Sequence, residues 1–181
     1  MALTKLHPNG TDRRLMEAEF SIDLADGCFS CSPNLTDRAC GEYPDLVLHT
    51  IRTGDNQSLE SELLNGRIAE TQRVGMHRSR RVNKAHAAQM LSEGTWNNLW
   101  CRAQCRQALA TGSNTVTVIR AASRRNPRTA SERLVGRHLN AGELLKDLRA
   151  RACDHDAGRI PVPGGPMSGI SVVAMPPGER T

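Results

Sequence analysis

Between Gln72 and Ser131 the chain carries eleven arginines and lysines and a single acid, Glu93. Like charges at this density cannot be buried together, because each ion removed from water without a partner costs several kcal/mol. A fold must either spread them over solvent or bring acids from elsewhere to meet them. The first 70 residues hold twelve acids and six bases, and residues 132–181 hold six acids and seven bases. The net charge of +5 therefore hides a strong separation. A segregated basic block is the footprint of a polyanion ligand. Its plain alternative is a solvated face that pairs with the acidic first third of the same chain. Arginine outnumbers lysine 21 to 3, which suits bidentate phosphate contacts and also suits an arginine-favouring codon bias.

A chain of 181 residues is long enough for one domain with its own core. Its five aromatics are Phe20, Phe29, Tyr43, Trp96 and Trp100, so the core has to be built from Leu, Val, Ile and Ala. Nowhere do about 18 apolar residues follow one another, and the start has no apolar run of signal-peptide length. No membrane span is expected. The expectation is a cytoplasmic protein whose six cysteines are reduced thiols.

Local patterning suggests an α+β fold, a small mixed domain with three or four strands and four or five short helices. Residues 1–15 read as a flexible arm, 16–153 as a single domain, and 154–181 as a loose Pro/Gly-rich tail. Polar–apolar alternation over Glu19–Leu24 predicts a strand, and Asp45–Arg52 a second one. Ser58–Gln72 reads as a helix with Gly66 inside it. Two further helices, from Ser79 or Asn83 to Glu93 and from Trp96 to Ala110, are separated by Gly94 as a stop and Thr95 as a cap. Trp96 and Trp100, four apart, are expected in the core. The β-branched run Asn114–Ala121 is the clearest strand. Short helices are expected over Ser131–Leu139 and Ala141–Cys153, and Ile170–Ala174 is the one strand candidate in the tail.

Three arginine clusters carry the nucleic-acid expectation: Arg73, Arg78, Arg80, Arg81 and Lys84; Arg102 and Arg106; and Arg124, Arg125 and Arg128. Nucleic-acid binding needs several cations on one surface, each able to displace counterions from phosphates. The expectation is an accessory or regulatory protein that contacts phosphates if the three clusters meet on one groove. A rival from another class uses Cys28-x-x-Cys31 with Cys40 and His49, which could give zinc three thiolates and an imidazole, as a zinc enzyme or zinc-stabilised protein. A third reading is a protein-interaction module with segregated charge. Cys101 and Cys105 read as packing residues, and Asp154-His155-Asp156 as a solvated loop. His77 and His86 lack a nearby carboxylate. No GxxxxGK[ST] or GxGxxG occurs, which argues against a P-loop NTPase or a Rossmann enzyme.

Gly75-Met76-His77-Arg78, the run Val116–Arg120 and Asn126-Pro127 together faintly resemble the glycine–arginine box, strand and Asn-Pro of ParB-like partition proteins. The gap between the first two is longer than in that family, and the box lacks a second arginine directly after the first. The resemblance implies a DNA ligand.

Overall fold

The computed structural model describes residues 3, 6–29, 31–74, 78–123, 129–153 and 168–175. Among these are six helices and five strands, an α+β architecture: α1 (Gly10–Ala25), α2 (Asp37–Thr53), α3 (Asn56–Leu64), β1 (Thr71–Val74), β2 (Arg78–Arg81), α4 (Lys84–Ala110), β3 (Thr115–Arg120), α5 (Thr129–Glu132), β4 (His138–Asn140), α6 (Ala141–Cys153) and β5 (Ile170–Ala174). The strands form two separate antiparallel sheets, a β1–β2 hairpin and a three-stranded sheet ordered β4-β3-β5.

The expected arm and first strand are helical. Asn9 caps α1 by accepting from the N–H groups of Thr11 and Asp12, while Asp12 reaches back to the Asn9 N–H in a capping box. The helix buries Met16 and Phe20 together with Asp12, Glu19 and Asp23. These buried acids are why the 19–24 stretch alternated in polarity without being a strand. The expected strand over 45–52 is also helical, in α2, which continues through Pro44. Its buried residues Tyr43, Leu46, Val47, Thr50 and Ile51 follow the spacing i, i+3, i+4, i+7, i+8 of one helical face. The helix expected over 58–72 stops at Leu64. Gly66 then adopts φ +79°, a left-handed conformation that glycine takes without steric cost.

The two helices expected around Gly94 are one. Asn83 accepts from the His86 N–H at 3.1 Å to cap α4, and 27 residues follow without a break, about 40 Å of helix. Tertiary contact outweighs the cost of about 1 kcal/mol for an interior glycine. Trp96, Leu99, Trp100, Ala103 and Ala108 are buried, as expected for the tryptophans, and Ala87 and Ala88 are buried nearer the helix start. The Tyr43 hydroxyl and Thr95 Oγ1 lie 2.9 Å apart and join α2 to the middle of α4.

The run Thr115–Arg120 forms β3, the centre of its sheet, with Val116 and Val118 buried on one face. Residues 170–174 of the expected loose tail form β5 beside it, and most of that strand is buried. The outer edge of β5 is closed by a helix instead of another strand. Asn97 Nδ2 donates to the Ile170 carbonyl at 2.9 Å, and Trp100 Nε1 donates to the Val172 carbonyl at 2.8 Å. The Ala174 N–H donates to Gln104 Oε1 at 3.0 Å. Positions 97, 100 and 104 share one face of α4 at helical spacing, so their side chains satisfy a strand edge that would otherwise template association. α6 buries Leu144, Leu145 and Leu148. The short α5 replaces the longer helix expected over 131–139.

Replacing Trp100 by Phe should leave the Val172 carbonyl buried without its donor. The expected cost is about 1–3 kcal/mol, read as a lower urea midpoint at an unchanged m value.

Candidate nucleic-acid interface

The first arginine cluster is assembled by the β1–β2 hairpin. Its base is fixed on the body of the protein. Ile68 is buried and bridges to Leu35, the Ala69 N–H donates to the Asn34 carbonyl at 2.9 Å, and the Val82 N–H donates to the Glu70 carbonyl at 2.9 Å. Lys84, the first residue of α4, forms an ion pair with Glu70 across that base. Lys84 and Arg81 hold the Glu70 carboxyl below its ordinary range. Beyond the base, among the described residues, the two strands pair only with each other, and all four residues of β2 are exposed.

The register decides how the cations are displayed. Thr71 lies opposite Arg81, Gln72 opposite Arg80, Arg73 opposite Ser79, and Val74 opposite Arg78. Each arginine therefore faces an uncharged residue, whereas a slip by one position either way would place Arg73 opposite Arg78 or Arg80. Like charges directly opposite one another destabilise a ladder. Because side chains alternate across a strand, Arg73 and Arg81 occupy one face of the ribbon and Arg78 and Arg80 the other. Arg80 Nη2 donates to Gln72 Oε1 at 3.2 Å. Among the described residues, Arg78, Arg80 and Arg81 have no carboxylate within ion-pair distance.

The second cluster is not at this surface. Arg102 was expected to contact phosphates; it has no exposed surface and lies in the core. Its Nε donates to Glu19 Oε2 at 2.8 Å, its Nη1 to Asp23 Oδ2 at 2.7 Å and its Nη2 to Asp23 Oδ1 at 2.9 Å. Nη2 also donates to the Glu19 carbonyl at 3.0 Å. Arg149 of α6 donates to both Glu19 oxygens, at 2.9 and 2.6 Å, and Arg106 approaches Glu19 at 3.4 Å. Arg102 and Arg106 stand 18 and 22 residues along α4 from Lys84, about 27 and 33 Å of helix, so the two clusters do not share a groove. Arg124, Arg125 and Arg128 lie outside the described residues, as do Gly75–His77 and Asp154–Asp156. His86 is exposed at the start of α4, and Glu93 is buried and accepts from Gln89 Nε2 at 2.9 Å.

The expected zinc constellation is not assembled either. Cys28 is disulfide-bonded to Cys153, and Cys31 to Cys40, where reduced thiols were expected. His49 is exposed and sits nine residues beyond Cys40 on the same helix, about 13.5 Å along its axis. That separation exceeds what a cysteine and a histidine side chain can span to one metal ion. With the four sulfurs bonded, no group of three or more His, Cys, Asp or Glu side chains among the described residues is arranged to hold a metal ion. Cys101 and Cys105 are free and fully buried on α4. Burial pushes the Cys101 thiol up to about 11 and raises that of Cys105 as well, so neither is an available nucleophile at neutral pH.

Among the described residues no helix is long and apolar enough to cross a membrane. Comparison of the chain with protein-family models, curated proteins and solved structures gives no match.

The buried cluster predicts an acid-sensitive fold. Burial opposes ionisation of Glu19, but the hydrogen bonds and charges of Arg149 and Arg102 outweigh it, so its carboxyl titrates below the ordinary 4.5. The stability this contributes is fully present above pH 4.5 and is lost as pH falls through the lowered value. Urea midpoints should fall in that window, and Glu19→Gln should start lower and lose less there. Arg102→Ala, which leaves Asp23 without its guanidinium and Glu19 with Arg149 and Arg106 alone, should cost about 3–5 kcal/mol at pH 7.

Proposed function

We propose that this chain is a nucleic-acid-binding accessory protein that presents the β1–β2 ribbon to double-stranded DNA. The observation that carries the reading is the ribbon itself: among the described residues its two strands pair with each other alone, all four residues of β2 are exposed, Arg81 stands on one face and Arg78 and Arg80 on the other, and no acid lies between Thr71 and Arg81. A two-stranded hairpin without a packed face is only marginally stable in water. The mutually repelling guanidiniums of Arg78, Arg80 and Arg81 weaken it further, and a polyanion ligand supplies the counter-charge that no described carboxylate gives them at ion-pair distance. Arginines on both faces suit a groove, which has a phosphate row on either side. The major groove of B-form DNA admits a two-stranded ribbon, whereas the deep, narrow major groove of A-form RNA does not.

The arginines that pair internally support this division of labour. Arg102, Arg106 and Lys84 meet acids of the first 70 residues, so that part of the basic block is neutralised within the fold. The charge of Arg78, Arg80 and Arg81 is the part left for a ligand. A cytoplasmic location belongs to this reading and requires the Cys28–Cys153 and Cys31–Cys40 disulfides to be reduced there.

Fluorescence anisotropy with a short DNA duplex tests the reading. Phosphate contacts from Arg78, Arg80 and Arg81 predict a log–log salt slope of about −2.7, and so roughly a 40-fold loss of affinity between 50 and 200 mM salt. Arg78→Glu with Arg80→Glu should lower affinity at 50 mM salt by at least about tenfold while leaving the urea midpoint within about 0.5 kcal/mol. Absence of binding at 50 mM salt, or binding unchanged in the double variant, overturns the proposal; equal or tighter binding to duplex RNA overturns the choice of groove.

A further inference from the structure

We propose that the Cys31–Cys40 disulfide is a redox-sensitive fastening for the β1–β2 ribbon: closed, it holds the first strand of the ribbon on the body of the protein, and opened, it loosens that strand and weakens DNA binding. The effect on DNA rests on the reading above, whereas the fastening itself does not. Residues 34–36 are the seat of the ribbon. The Thr36 N–H donates to the Arg67 carbonyl at 2.9 Å, the Ala69 N–H donates to the Asn34 carbonyl at 2.9 Å, and Leu35 bridges to Ile68 in antiparallel fashion. The chain enters β1 two residues after Ala69. The ribbon thus stands on two legs. Its outgoing leg runs into the capped start of α4 at Lys84, and its incoming leg is carried by this short segment.

The disulfide encloses that seat. Cys31 and Cys40, nine residues apart, lie on either side of residues 34–36. On the downstream side the seat is part of α2. Thr36 Oγ1 accepts from the Ala39 N–H at 3.2 Å, and the Thr36 carbonyl accepts from the Cys40 N–H at 2.9 Å. On the upstream side the chain turns on itself. The Leu35 N–H donates to the Ser32 carbonyl at 3.0 Å, and the Asn34 N–H donates to Ser32 Oγ at 3.3 Å. These bonds shape the segment without tying its upstream end to the body. The buried side chain of Leu35 gives an apolar hold, and the bond from Cys31 to α2 adds a covalent one. Closing a ring of this size biases the segment toward its ordered form by a factor on the order of 100.

Opening the bond is a local event. Phe29, two residues before Cys31, packs edge-on against Phe20 of α1 with ring centroids 5.8 Å apart and stacks against Tyr43 of α2 at 5.7 Å. These contacts hold α1 to α2 whatever the state of Cys31. Cys31 is exposed and Cys40 half-buried, so exchange from solvent begins at Cys31. In the closing direction the Cys31 thiolate attacks a low-molecular-weight disulfide, forming a mixed disulfide and releasing one thiol. The Cys40 thiolate then attacks the Cys31 sulfur and releases the second thiol. Two electrons pass from the two cysteines to the external disulfide, and their two protons end on the two thiols released. Opening by a small thiol is the reverse.

The test follows amide hydrogen exchange by NMR in the full chain carrying Cys28→Ser and Cys153→Ser, which leaves Cys31–Cys40 as the disulfide under study. Reduction with a dithiol should speed exchange at Thr36 and Ala69 by at least about tenfold while the amides of Leu99 and Trp100 in the core stay protected. Cys31→Ser with Cys40→Ser should reproduce the reduced pattern. The wild-type chain, oxidised and then dithiol-treated, gives the same comparison without any substitution. Fluorescence anisotropy with duplex DNA at 50 mM salt should show binding about fivefold or more tighter in the oxidised state, because a smaller fraction of the reduced chain holds the ribbon ready. Exchange at Thr36 and Ala69 unchanged by reduction, or equal DNA affinity in the two states, overturns the proposal. An exchange difference with no DNA binding in either state supports the fastening and overturns the DNA reading.

Discussion

The guanidinium of Arg102 is the interaction on which the body of the protein depends. It enters the core from α4 and meets Glu19 and Asp23 of α1, while Arg149 of α6 closes over the other side of Glu19. Three helices far apart in sequence are thus held by one charge cluster. Such a cluster does not by itself guarantee stability, since removing ions from water costs about as much as their attraction returns. What it imposes is geometry: a planar donor fork accepts only one placement of two carboxylates. Once α1, α4 and α6 are set, the polar face of α4 at Asn97, Trp100 and Gln104 stands against the edge of β5.

The same cluster divides the basic block into two populations with different physics. Arg102 and Arg106 are consumed by the acids of the first third, and Lys84 meets Glu70 at the hairpin base. The hairpin arginines stand beyond that base in solvent, on both faces of a ribbon whose register keeps them from facing one another. Charge separation along the chain thus has two outcomes, an internal lock and an external display, and the functional reading concerns only the second.

Some elements were legible from local pattern. The β-branched run that became β3, the helix Ala141–Cys153 and the strand Ile170–Ala174 follow from intrinsic preference and periodicity, and Trp96 and Trp100 lie in the core as their helical spacing suggested. The strand expected at 19–24 failed because Glu19 and Asp23 are buried acids, and a hydrophobicity pattern assigns acids to the solvent face. The strand expected at 45–52 failed because α2 continues through Pro44, and Tyr43, Leu46, Val47, Thr50 and Ile51 spell one helical face. The stop expected at Gly94 is absent because burial of α4 against its neighbours, a tertiary effect, outweighs the local cost of glycine. The hairpin went unseen since its strands are rich in arginine and lack apolar alternation.

By itself the sequence determined the class of fold, the aliphatic character of the core and the presence of a segregated basic block, because composition and periodicity are local properties. Which arginines are buried, which cysteines meet and which charges remain on the surface were decided by the tertiary structure. Those outcomes depend on partners 70 to 130 residues away, such as Arg102 with Glu19, Arg149 with Glu19, and Cys28 with Cys153. No pattern over a window of neighbouring residues encodes a partner at that distance.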